Sequence, residues 1–115
     1  MKRLPKILRE YRVKLIPAAK AGPQPEYPEH LGLRTKFGGL PDGIQDAGED
    51  MRVGCPECRK AMHFVGQIDS FEYAGKNNPH RRDYSDAQFM FSDVGLIYVW
   101  FCYKCLVPHA TTQAY

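Results

Sequence analysis

Nowhere in this 115-residue chain does an apolar run approach the roughly twenty residues that span a bilayer. Its basic start, "MKRLPKILREYRVKLIPAAK", lacks the apolar stretch and small-residue cleavage site of a secretory leader. These absences point to a soluble, cytoplasmic protein with no membrane partner. The glycine-rich stretch "KFGGLPDGIQDAGED" does not end in Gly-Lys-Ser/Thr, so it is not a phosphate-cradling P-loop and reads as turn chemistry. None of His30, His63, His80 or His109 is followed two residues on by Glu, which sets the nucleobase deaminases aside. No Ser/His/Asp or Cys/His set has a recognisable local signature. The carboxylate pairs Asp69 with Glu72, and Asp83 with Asp86, read as solvated loop charges. An enzyme is therefore not the expectation. Internal repeats are missing too, apart from one: Cys-x-x-Cys occurs twice, at Cys55/Cys58 and Cys102/Cys105, and no cysteine is left over.

The composition fits one domain, with 43% hydrophobic residues available for a modest core. The net charge of +3 hides an asymmetry. Within residues 1–20, Lys2, Arg3, Lys6, Arg9, Arg12, Lys14 and Lys20 stand against Glu10 alone, whereas the rest of the chain is mildly acidic. A basic arm on an acidic body suits a nucleic acid or an acidic protein; a solubilising arm or a charged edge strand is the plainer reading.

Alternation of Tyr11, Val13 and Leu15 with Arg12 and Lys14 predicts a strand ending at Pro17, so residues 1–17 form a basic strand or arm. Prolines and glycines then make 18–54 a loop region, longer than an ordinary connection, either functional or held against the core by its own side chains. After Cys58 a strand over 61–68 is expected, with Met62, Phe64 and Ile68 on one face and His63, Val65 and Gln67 on the other. "SFEYAGKNNPHRRDYSDAQ" reads as an exposed loop. "GLIYVWFC" is an almost unbroken run of β-branched and aromatic residues, which predicts a central strand covered on both faces, with Trp100 buried.

Two thiolates two residues apart can fill half of a tetrahedron, and the second pair supplies the other half. One Cys-x-x-Cys turn precedes the 61–68 strand and the other follows the 96–102 strand, so antiparallel pairing brings both to the same end. Cys55, Cys58, Cys102 and Cys105 are thus expected to close a structural Zn²⁺ site, zinc-ribbon-like over residues 55–108. A gap of 43 residues between the pairs means that the metal staples a larger sheet rather than constituting the fold. With a cytoplasmic location expected, a reducing environment favours metal over disulfides. A thioredoxin-like redox pair would open a helix, whereas the first pair here runs into a strand pattern. A catalytic zinc needs an open position that four cysteines do not leave. His109 is a substitute ligand on spacing alone, but a surface or packing histidine is the plainer reading; His63 reads as an ordinary strand residue. The expected class is mainly β, with β-rich α+β as the alternative: a small antiparallel sheet stapled by a zinc-ribbon-like site of four cysteines, preceded by a long loop-rich half.

"KFGGLPDG", "CPECRKAMHFVGQID", "FSDVGLIYVWFCYKC" and the final "TTQAY", in this order, resemble the YwqG-like family of bacterial proteins of unknown function over roughly residues 36–115. Family members share Gly-Gly-Leu-Pro, an F-x-x-Q-I-D strand and a later G-x-x-Y-x-F-x-C-type strand. Typical members are longer, and the chain is similar to their C-terminal part. Many lack the cysteine pairs, so the metal reading rests on this chain's own residues. The resemblance implies a β-rich cytoplasmic domain without an established reaction. Because relatives are sometimes encoded among toxin and immunity genes, it also implies a toxin-neutralising role.

Two functions follow as expectations. The first is a small zinc-binding protein that acts by binding another protein, such as a toxin. The alternative is a nucleic-acid-binding zinc ribbon using Lys2, Arg3, Lys6, Arg9, Arg12 and Lys14, with Tyr73, Tyr84, Phe89 and Phe91 as stacking faces.

Overall fold

A computed structural model describes residues 12–21, 34–45, 48–69 and 95–114. Four antiparallel strands form one sheet in the order β1-β2-β3-β4, with β1 at Lys36–Phe37, β2 at His63–Ile68, β3 at Leu96–Cys102 and β4 at Val107–Gln113. The remaining regular structure among the described residues is two single 3-10 turns, Ala18–Lys20 and Gly48–Asp50. The fold is mainly β, as the composition and alternation predict.

Strand β3 is the interior strand that "LIYVWFC" predicts, and it has two unequal faces. Leu96, Tyr98, Trp100 and Cys102 are buried and form the core with Cys55 and Met62; Ile44, Met51, Val53 and Phe64 pack against this cluster. Trp100 also donates from Nε1 to Thr111 Oγ1 at 2.9 Å, which satisfies its indole in an apolar setting. Ile97, Val99 and Phe101, on the opposite face, are only half-buried. The expected cover on both faces is therefore corrected to a sealed face and a half-open one, because the core draws only on alternate β3 positions.

A second correction concerns β2. The register passes from Phe64 opposite Trp100 to Gly66 opposite Val99, so Val65 is an extra residue bulged out of the ladder. One inserted residue exchanges the faces of everything after it. Gln67 thereby joins Phe64 on the core side, opposite Tyr98, and Ile68 joins His63 on the outer side, opposite Ile97. Plain alternation assigns both the other way. Gly66 is required where it stands: a Cβ there would lie 2.8 Å from the Lys36 carbonyl oxygen of β1.

Residues 34–45 and 48–54 of the loop-rich half are laid against this sheet. Gly38 and Gly39, both with positive φ, turn the chain out of β1, and Gly38 N donates to Val65 O at 2.7 Å. Asp42 then sits over Gln67, while Ile44, Met51 and Val53 cover the core. Residues 12–17 do not form the predicted strand, and Val13, Leu15 and Ile16 are exposed. With no strand among the described residues paired to them, alternation alone does not make these residues a strand. Residues 1–11 of the basic arm lie outside the described residues. The sheet also continues past residue 108, because "VPHATTQ" forms the β4 edge, where a proline's missing N–H is best tolerated.

Candidate metal centre

The two Cys-x-x-Cys segments fold into the same small turn. In the first, Arg59 N donates to Cys55 O at 2.9 Å and Cys55 N donates to Lys60 O at 2.9 Å; in the second, Leu106 N donates to Cys102 O at 2.7 Å. Each turn passes through left-handed backbone at its fifth residue, Arg59 with φ 63° and Leu106 with φ 58°. Such a conformation costs a residue with a Cβ about 1–2 kcal/mol, which the surrounding structure must offset. The first turn is closed by the bridge between Gly54 and Ala61 that leads into β2, and the second joins β3 to β4. Because β2 and β3 are antiparallel with His63 opposite Phe101, both turns fall at one end of the sheet.

There the four thiols converge. The Sγ atoms of Cys55, Cys58, Cys102 and Cys105 all lie within 4.8 Å of one another. Cys58 Sγ and Cys102 Sγ are 3.8 Å apart. Sulfurs placed tetrahedrally at about 2.3 Å from one ion are about 3.8 Å from each other, so this set fits a single thiolate-bound metal. Cys55 and Cys102 are buried, Cys58 and Cys105 half-buried, and none is in a disulfide. All four sequence-predicted ligands are brought together, and neither His63 nor His109 joins them.

The electrostatics of the cluster call for a cation. Cys102 is lowered from 9.0 to about 7, chiefly by the backbone N–H of Cys105, 3.5 Å from its sulfur, against the opposing effect of burial; the Lys104 N–H and the Cys55 and Cys58 thiols help. Cys105 is pushed up to about 12, first by loss of water contact, then by the thiols of Cys58, Cys102 and Cys55 and the negative charge on Cys102. One sulfur ionises readily and its neighbour then resists, because like charges this close cannot coexist unaided. A divalent ion at the centre removes that conflict.

Other candidates fare differently. Arg12 and Lys14 are exposed and outside the sheet, while Lys2, Arg3, Lys6 and Arg9, and the stacking candidates Tyr73, Tyr84, Phe89 and Phe91, lie outside the described residues. Glu72, Asp83 and Asp86 do as well. Asp69 is not the solvated loop charge expected of it. It is 0% exposed, and its Oδ2 accepts from both the backbone N and Nε of Arg34, each at 3.0 Å. Beside it, the buried Gln67 donates to Arg34 O at 2.6 Å and to Asp42 Oδ2 at 2.8 Å, and accepts from Asp42 N at 2.9 Å. Tyr98 OH donates to Asp42 O at 2.6 Å, and Asp69 N donates to Thr35 Oγ1 at 2.8 Å. Sequence reasoning missed this clamp. Its one local signal was a carboxamide and a carboxylate, Gln67 and Asp69, flanking an apolar residue at the end of an otherwise uncharged strand.

Comparison with protein families, with characterised proteins and with solved structures gives no match for this chain. No helix among the described residues is long and apolar enough to cross a membrane.

Proposed function

We propose that this chain is a zinc-stapled β module of the bacterial cytoplasm that works by binding another protein, neutralising a toxin as an immunity protein. One observation carries the reading: four sulfurs lie within 4.8 Å of one another, close enough to share one ion. An ion so held keeps the scaffold in shape and has no position left for a substrate or an activated water. Zinc is the ion that a four-thiolate, tetrahedral donor set favours, and unbridged thiols suit a reducing compartment. A metal-clamped sheet gives a small chain a surface that is rigid before a partner arrives, which reduces the ordering cost of association. The toxin-neutralising part rests on the resemblance over residues 36–115.

The test is co-expression in bacteria of this chain with toxins encoded beside its gene, with survival as the readout. Rescue by the natural chain, and loss of rescue when Cys58→Ser removes the staple, is the expected result. Failure to neutralise any of those toxins contradicts the immunity role. A metal-dependent turnover in the purified protein would contradict the purely structural use of the ion.

A further inference from the structure

Only one face of the sheet is sealed by the core. The other carries three cross-strand rows: His63, Phe101 and Pro108; Gly66, Val99 and Ala110; Ile68, Ile97 and Thr112. Antiparallel sheets with a face toward water ordinarily alternate to polar residues on that side. Here all three outward residues of β3, Ile97, Val99 and Phe101, are apolar, and each is half-buried.

At the metal end this face acquires an anchor. Tyr103, from the turn between Cys102 and Cys105, has its ring centroid 4.9 Å from that of Phe101 and 5.3 Å from that of His63, edge-on to both at 72° and 70°. It remains 62% exposed, as Leu106 in the same turn remains 71% exposed. A tyrosine braced by two rings and still bare has given up its freedom in advance, the property of residues that dominate binding energy. In the two cysteine turns at this end of the sheet, Arg59, Lys60 and Lys104 are exposed and have no ion-pair partner among the described residues; Glu57 is the single acid there.

We infer that this outer face and the two cysteine turns form a docking surface for an acidic protein segment, which lays apolar side chains on the rows and sets carboxylates against Arg59, Lys60 and Lys104. The inference rests on the protein-binding reading and adds a surface and a partner chemistry to it. Charge complementarity selects the acid, and the apolar rows select a protein over a nucleic acid. None of β2, β3 or β4 carries a charged residue, so a nucleic-acid strand would find no cations to follow beyond the turns.

The experiment pans a phage-displayed random-peptide library against the zinc-loaded full chain, then measures the enriched peptide by fluorescence anisotropy with poly-dT as a parallel probe. Enriched peptides are expected to set Asp or Glu beside aromatic or aliphatic residues. Tyr103→Ala should weaken the peptide about tenfold or more. The double variant Lys60→Glu, Lys104→Glu should flatten the salt dependence of binding. Metal content measured on both variants, expected at one ion per chain, shows that the scaffold has survived. Enrichment without acidic bias overturns the partner chemistry. A peptide that binds both variants as it binds the natural chain overturns the surface and leaves the protein-binding reading standing. Absence of any enriched peptide overturns the docking surface, and tight, salt-sensitive poly-dT binding in place of peptide binding overturns both.

Discussion

At one end of the β2–β3 pair, where His63 faces Phe101, four thiols gather around a centre; at the other end, where Ile68 faces Ile97, the chain is held by charged and carboxamide groups. The second closure is a buried ion pair, Arg34 with Asp69, next to Gln67 gripping Asp42. Both ends tie a loop to the same two strands. They differ in what they depend on: the thiol end needs an ion and deprotonated ligands, whereas the polar end is made by the polypeptide's own groups and leaves one of them, Arg34 Nη2, buried without a hydrogen-bond partner. Both reach far along the chain, with Cys58 and Cys102 44 residues apart and Arg34 and Asp69 35 apart, but only the thiol end is built from a local spacing that occurs twice.

Loss of the ion should break the comparison most. Structural zinc sites bind with about 10–16 kcal/mol, as much as or more than a small domain's whole net stability of about 5–15 kcal/mol. Chelation, or Cys58→Ser, should therefore abolish the near-UV dichroism of Trp100, which is buried in the same cluster as Cys102. A retained Trp100 signal would show that the polar end holds the sheet alone. Acid should act in the same direction, because protons compete with metal for thiolates. In whatever fraction stays folded without the ion, Cys102 is lowered to about 7 from 9.0, so its stabilising contribution is full above 9.0 and is lost as pH falls through 7. Cys105, raised to about 12, has the opposite sign: its contribution is full below 9.0 and is lost as pH rises toward 12. A competition titration with a chromophoric chelator should find metal affinity falling as pH is lowered from the alkaline side, and more steeply below about 7.

Next in size is the polar end. Asp69→Ala leaves the 3%-exposed Arg34 buried without its carboxylate, at a cost of about 3–5 kcal/mol. Guanidinium unfolding at saturating zinc should show this loss with the metal stoichiometry unchanged. The double variant Arg34→Met, Asp69→Leu should recover much of it, since no charge is then stranded. Gln67→Leu should cost about 1–3 kcal/mol in the same assay, because it strands Asp42 N and Arg34 O. Smallest, and of opposite sign, is Leu106→Gly. With φ 58° and a side chain 71% exposed, Leu106 loses backbone strain and little burial, for a gain of up to about 1 kcal/mol in thermal unfolding.

The same contrast explains what could be read in advance. Duplicate Cys-x-x-Cys spacing and the apolar run of β3 are local patterns, and both the thiol cluster and the interior strand followed from them. Bulging at Val65 left no mark in the alternation, so the assignments of Gln67 and Ile68 were exchanged. Arg34, Asp42 and Thr35 meet Gln67 and Asp69 through contacts spanning 25 to 35 residues, which no spacing rule encodes. "YRVKLIP" carries the alternation, yet Val13 and Leu15 are exposed and residues 12–17 form no strand. In "VPHATTQ" a proline and small polar residues make a weak strand signal. Pairing with β3 along its whole length makes the segment a strand.

X-ray absorption at the zinc edge of the loaded protein tests the central claim most directly. The account predicts one zinc per chain with four sulfur neighbours at about 2.3 Å and no nitrogen or oxygen in the first coordination sphere. Fewer than four sulfurs around the ion, or a protein mass showing either cysteine pair oxidised to a disulfide, would contradict it.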